Sequence, residues 1–99
     1  MLALEGALDI ATATEANKRL IELDLPRGGE LVLDLRDVTF MDSTGIRLLL
    51  LARGHARRCG ASFVVVRGPD DVMRVLELVG LDDQLAIVAP QELEVASAR

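Results

Sequence analysis

Glu30-Leu31-Val32-Leu33-Asp34-Leu35, followed shortly by Asp42-Ser43-Thr44-Gly45, is the stretch whose reading decides the fold. Leu31, Val32, Leu33 and Leu35 place apolar side chains on both faces of an extended segment. A strand that is apolar on both sides belongs to a sheet covered by helices. Asp37 to Met41 reads as a short connection with a few buried side chains. Asp42-Ser43-Thr44-Gly45 then opens a helix running to about Arg58, its first turn supplied with side-chain oxygens that can satisfy free backbone N–H groups. Arg57 and Arg58 suit the negative end of the helix dipole, and Gly60 is the expected stop. Gly54 lies inside this helix at a cost of about 1 kcal/mol relative to Ala, with no reason visible in the sequence.

The same reading extends in both directions. Met1 to Glu5 alternates loosely and predicts a short strand ended by Gly6. Thr12 and Glu15 fit a capping box. Ala13, Ala16, Leu20 and Leu23 follow at helical spacing, predicting a helix from Ala13 to Leu25, closed by Pro26 and Gly28-Gly29. Downstream, Ala61 to Val66 is a strand. Gly68-Pro69-Asp70-Asp71 starts a third helix, with proline and carboxylates at its positive end. Val72, Val75, Leu76 and Val79 form its apolar stripe and Gly80 ends it. Leu85 to Val88 is a last short strand. Strand and helix alternate throughout, which predicts an α/β domain with right-handed crossovers. The expected sheet is mixed and mostly parallel, with about four strands and three to four helices packed against it. One domain spans residues 1–90. Residues 91–99 are a tail, either a short helical turn or disordered.

Composition narrows the function. The 99 residues carry a net charge of −5, and 51% of them are hydrophobic. An acidic globular domain argues against nucleic-acid binding, which needs a basic face to neutralise phosphates. Phe40 and Phe63 are the only aromatics, so surfaces that stack bases or sugars are excluded. The lone Cys59 excludes an internal disulfide and a multi-cysteine metal site, and suits a reducing compartment. The first basic side chain is Lys18, so no basic segment opens a signal peptide. The apolar run Leu48 to Ala52 is far too short for a bilayer. The expectation is a soluble, cytoplasmic domain.

Few residues offer chemistry. His55 has no nucleophile at a matched spacing and no second ligand for a metal. Cys59 falls near a helix C-terminus and reads as a small core or surface residue. Gly28-Gly29 lacks the Lys-Ser/Thr of a phosphate-binding loop and reads as a turn. Asp82-Asp83 reads as a solvated turn. Asp42-Ser43-Thr44-Gly45 has one residue too many for the Asp-Ser/Thr-Gly of aspartic proteases. No pair of titratable groups suggests acid–base catalysis, and no cofactor or metal is expected. Two readings stand for the Asp42-Ser43 hydroxyl site: a plain helix cap, or a phosphorylation site whose dianion would face the first-turn N–H groups.

Phe40-Met41-Asp42-Ser43-Thr44-Gly45, following Leu31-Val32-Leu33-Asp34-Leu35, resembles the signature of the STAS family, the sulfate-transporter and anti-sigma-factor-antagonist domains. Glu5-Gly6-Ala7-Leu8-Asp9 resembles the family's Gly-Glu-Leu-Asp turn, with Ala7 in place of its Glu. Gly60-Ala61 before Ser62 to Val66, and Val75 to Leu81, match two further segments in order. The resemblance implies an anti-sigma factor antagonist that works by partner switching and is not an enzyme. Its unphosphorylated form would bind an anti-sigma factor that is itself a histidine-kinase-like serine kinase, releasing a sigma factor. Phosphorylation of Ser43 would abolish that binding, and a phosphatase would restore it. Partner contacts carried over are Asp9, Met41, Asp42, Ser43, Thr44 and Gly45, with Gly45 allowing close approach and Asp9 lying near Ser43. The alternative within the family is a non-phosphorylated scaffold subunit of a lipid-transport (ABC transporter) or stress-signalling complex. The family usually has another strand before the Gly-Glu-Leu-Asp segment. Its absence from this sequence would leave a bare sheet edge through which a homodimer could form.

Overall fold

A computed structural model describes residues 1–92 of the chain. The elements run β1 (Leu2–Leu8), α1 (Ile10–Glu22), β2 (Glu30–Met41), α2 (Ser43–Arg58), β3 (Ser62–Val66), α3 (Asp70–Leu78) and β4 (Ala86–Val88). The four strands form one sheet in the order β1-β2-β3-β4, and every neighbouring pair is parallel. Residues 90–92 are helical, and residues 93–99, which make up most of the expected tail, lie outside the described residues.

β2 is twice the length read from its apolar run, and the connection expected over residues 37–41 is its second half. The first half pairs with β3, from Glu30↔Ser62 to Asp34↔Val66. β1 pairs from Leu2↔Leu33 through the whole second half, ending at Leu8↔Met41. Register shifts between Ala3 and Glu5 and between Gly6 and Ala7 break the regular alternation there, which is why the pattern does not read as strand. Gly6, at φ +74°, therefore sits within β1 instead of ending it. β1 is an edge strand among the described residues; the extra residues of both register shifts lie on β2, and the charged Glu5 is the feature of β1 that discourages edge pairing.

α1 begins three residues earlier than the Ala13 start predicted. Its capping box is Asp9 with Thr12, not Thr12 with Glu15. Thr12 N–H donates to Asp9 Oδ1 at 2.9 Å, and Asp9 N–H donates to Thr12 Oγ1 at 2.9 Å. Leu23 is extended, so the helix ends at Glu22 and not at Leu25.

One aliphatic cluster unites the sheet with all three helices. It contains Leu31, Leu33 and Leu35 of β2, Leu48, Leu49 and Ala52 of α2, Leu20 of α1, and Met73 and Leu76 of α3. On the other face of β2, Val32 and Asp34 are buried as well. Asp34 is the one buried charged residue among those described, at 4% exposure. Burial by itself pushes its carboxyl pKa up. The Arg36 side chain and backbone N–H reverse this and hold it below the ordinary value. Arg36 Nη2 lies 2.7 Å from Oδ2, Arg36 Nε 3.0 Å from the same oxygen, and Arg36 N 3.0 Å from Oδ1. Removing Arg36 would leave a buried carboxylate short of donors. Arg36→Ala is expected to cost about 2 kcal/mol at pH 7, between an exposed and a fully buried pair. Because the native pKa is lowered, this stabilisation is present above the unfolded value of about 3.9 and is lost as pH falls through the native one. Urea titrations of both proteins should therefore differ at neutral pH and converge in acid.

Candidate functional site

Parallel pairing creates the site. Leu8 and Met41 are register partners at the ends of adjacent strands. The next residue of each strand, Asp9 and Asp42, is the N-cap of the helix that follows. Strand neighbours lie about 4.8 Å apart, so two carboxylates and two helix N-termini meet at one end of the sheet. Both carboxylates serve their own helices. Hydrogen bonds from the Thr12 backbone and side chain hold the exposed Asp9 carboxyl below its usual pKa. Asp42 Oδ1 accepts from Thr44 N–H at 2.9 Å.

Ser43 is the first residue of α2 and is exposed. The capping is done by Asp42, which leaves the Ser43 hydroxyl without a structural duty. Thr44 is half-buried beside it. Both line the head of a groove of about 650 Å³ between α1 and α2. Ile10, Ala13, Thr14 and Asn17 form one wall, and Arg47, Leu48 and Leu51 form the other. Ile10 is 77% exposed and Leu51 43%, which is unusual for side chains of this kind on two packed helices.

The Leu8↔Met41 register thus puts Asp9, Asp42, Ser43 and Thr44 at one end of the sheet. Met41 and Gly45 face the other way, which corrects the expectation that they meet a partner. Met41 is 4% exposed and Gly45 is buried. A Cβ on Gly45 would collide with Met41 Cγ and lie 3.2 Å from Met41 Sδ and 3.3 Å from Leu8 Cδ1. The bare backbone at Gly45 lets α2 sit tightly on the ends of β1 and β2. It leaves no room for anything from outside.

The apolar groove itself was not anticipated. A signal for it exists in Leu48-Leu49-Leu50-Leu51, because four consecutive helical positions span more than the buried face of a helix. Leu48 and Leu49 are buried, and Leu50 and Leu51 are left outside. His55 and Cys59 are neighbours on α2, with Cys59 Sγ 3.9 Å from His55 Nε2, and no cluster of three or more metal-binding side chains exists among the described residues. None of the described helices is long and apolar enough to cross a membrane.

Comparison with known proteins places this geometry. The family model described as "Mlab, STAS domain" matches residues 1–89. An anti-sigma-B factor antagonist of Bacillus subtilis is 27% identical over 89 residues, covering 90% of this chain and 81% of that protein. The anti-sigma-B factor antagonists of Listeria monocytogenes and Listeria innocua are each 30% identical over 82 residues, covering 83% of this chain and 72% of theirs. The match runs through both capped helices and all four strands, and the chain belongs to the STAS domain family.

Proposed function

We propose that this chain is an anti-sigma factor antagonist whose docking is switched by phosphorylation of Ser43. It binds an anti-sigma factor that is a serine kinase, in the cytoplasm, and a phosphatase restores the unmodified state. The protein works by binding and performs no catalysis of its own. The observation that carries the reading is the placement of Ser43: exposed, relieved of capping by Asp42, and set at the head of an open groove. The relatives named as anti-sigma-B factor antagonists support the same assignment.

The charge argument gives the direction of the switch. Asp9 and Asp42 already make the groove head acidic. A phosphate adds about −1.5 to −2 charges at neutral pH. The positive end of the α2 dipole stabilises that charge, so the helix survives modification. A partner covering the groove head meets the new charge directly. Incubation with ATP and the histidine-kinase-like anti-sigma factor of the same genome tests the reading. Phosphate should appear on Ser43 and be absent from Ser43→Ala. No transfer to Ser43 from any such kinase would favour the scaffold role instead.

A further inference from the structure

The outward side of α2 has a composition that the phosphorylation site does not account for. The helix carries four arginines and one histidine and no acidic residue, in a chain whose net charge is −5. At about 100° per residue, Gly45, Leu48, Leu49, Ala52 and Ala56 share the buried face. Ser43, Arg47, Leu50 and Leu51 fall on the opposite face, continued by Gly54, Arg57 and Arg58. These positions span an arc of about 120°, with Gly54 at its middle. Across the arc the order is Arg57, Leu50, Ser43, Gly54, Arg47, Arg58 and Leu51, so a bare centre at Ser43 and Gly54 has a leucine to each side with arginines interleaved.

Gly54 has no role within the chain. Its φ is not in the left-handed region. A Cβ there would meet only the flexible tip of Arg58, at 3.4 Å. None of Arg47, Arg57 and Arg58 belongs to an ion pair among the described residues. Across the groove, Ile10, Thr14 and Asn17 put an uncharged face of α1 beside Ser43, Arg47 and Leu51, and Ile10 is exposed. A glycine at the middle of an exposed helix face lets a second backbone come close, as helix crossings require.

We infer that this face of α2 is the seat of an amphipathic helix of the partner, which crosses at Gly54 and sets an apolar ridge against Leu50 on one side of that glycine and Leu51 with Ile10 on the other. Acidic side chains beside that ridge meet Arg47, Arg57 and Arg58. Charge complementarity decides the chemistry: every ionised group on the arc is a cation, so the partner's flanks are carboxylates. A nucleic acid would also seek arginines, but the acidic charge of the whole chain opposes it. The inference rests on the reading of the α1–α2 groove as a docking site and adds what docks there. It also gives Arg47 a second partner. Arg47 lies one turn from Ser43 on the same side, so a phosphate on Ser43 would draw it away from the visiting carboxylates.

The test uses the unmodified full chain and two synthetic helical peptides of one apolar pattern, one flanked by Glu and the other by Lys. Amide shifts on adding the Glu peptide should concentrate in α1 and α2, and salt should weaken binding. Gly54→Leu should reduce affinity at least about tenfold, because its side chain fills the crossing point. Gly54→Ala, with a small added group and a better helix former, should melt higher than the native chain and bind more like it than Gly54→Leu does. Arg57→Ser with Arg58→Ser should remove most of the salt dependence. Equal binding of the Lys peptide, unchanged affinity in Gly54→Leu, shifts confined to other elements, no binding of the Glu peptide, or preference for single-stranded DNA over it would each overturn the inference. No kinase enters this experiment. An absence of phosphate on Ser43 would remove the switching role and leave the docking face standing. Phosphorylation with failure of the peptide arm would do the reverse.

Discussion

Gly45→Val is expected to destabilise the fold by about 3 kcal/mol, the upper part of the range for overpacking a filled interior. A Cβ at this position already strikes Met41 Cγ and crowds Leu8 Cδ1 at 3.3 Å, and valine adds two methyl groups. Met41 cannot swing outward, because it is 4% exposed and sits at the end of β2 against β1. For a domain of this size such a loss corresponds to a fall in Tm of about 12–24 °C. Partner binding would also suffer, but through unfolding. The discriminating variant is Gly45→Val combined with Met41→Ala. Two side chains in contact couple, so the double substitution should lose less than the sum of the singles. Additive losses would mean that the collision with Met41 is not the cause. Gly54 is the counter-case on the same helix, since it faces outward and tolerates a Cβ.

Phosphorylation of Ser43 has the largest expected effect on binding. The modified chain should bind the anti-sigma factor at least about a hundredfold more weakly, roughly 2.7 kcal/mol. Like charges brought together at an interface cost several kcal/mol, and the phosphate arrives next to Asp42 in the chain and, through the Leu8↔Met41 register, at the same end of the sheet as Asp9. The effect should appear without a change of fold. Ser43 is the first residue of α2 and has no packing role, so the phosphate sits at the end of the helix that favours anions. Amide shifts should move around the groove head and not across β3 and β4. Ser43→Asp carries less charge than a phosphate and should fall between the unmodified and the phosphorylated chain. Ser43→Ala should bind constitutively.

The sheet and its helices were legible where the chain obeys a single period. Leu31 to Leu35 and the helix from Ser43 to Arg58 are found where the sequence places them, because burial on both faces and a capped helix start each leave an unambiguous pattern. The pattern fails where two constraints overlap. β1 and the second half of β2 pair in parallel across two bulges, and each bulge shifts the alternation by one residue. The start of α1 was misplaced because Thr12 is a capping partner in either frame. Only the position of Asp9, directly after β1, decides which frame is used.

The candidate site was legible as a motif but not as a surface. The Leu8↔Met41 register puts Asp9, Asp42 and Ser43 at one end of the sheet. The inward turn of Gly45 was not visible. A glycine after two hydroxyls reads equally well as an opening for a partner or as a seat for a buried methionine, and only the packing chooses. The arginine-bearing face of α2 was hidden for a different reason: the chain's acidic total masks a helix that has no acid in it.

Titrating the anti-sigma factor with this chain carrying either serine or phosphoserine at position 43, followed by calorimetry, addresses the central claim most directly. The account predicts tight binding by the serine form, loss of at least about two orders of magnitude with phosphoserine, and the same fold in both. Equal affinity of the two forms would contradict it.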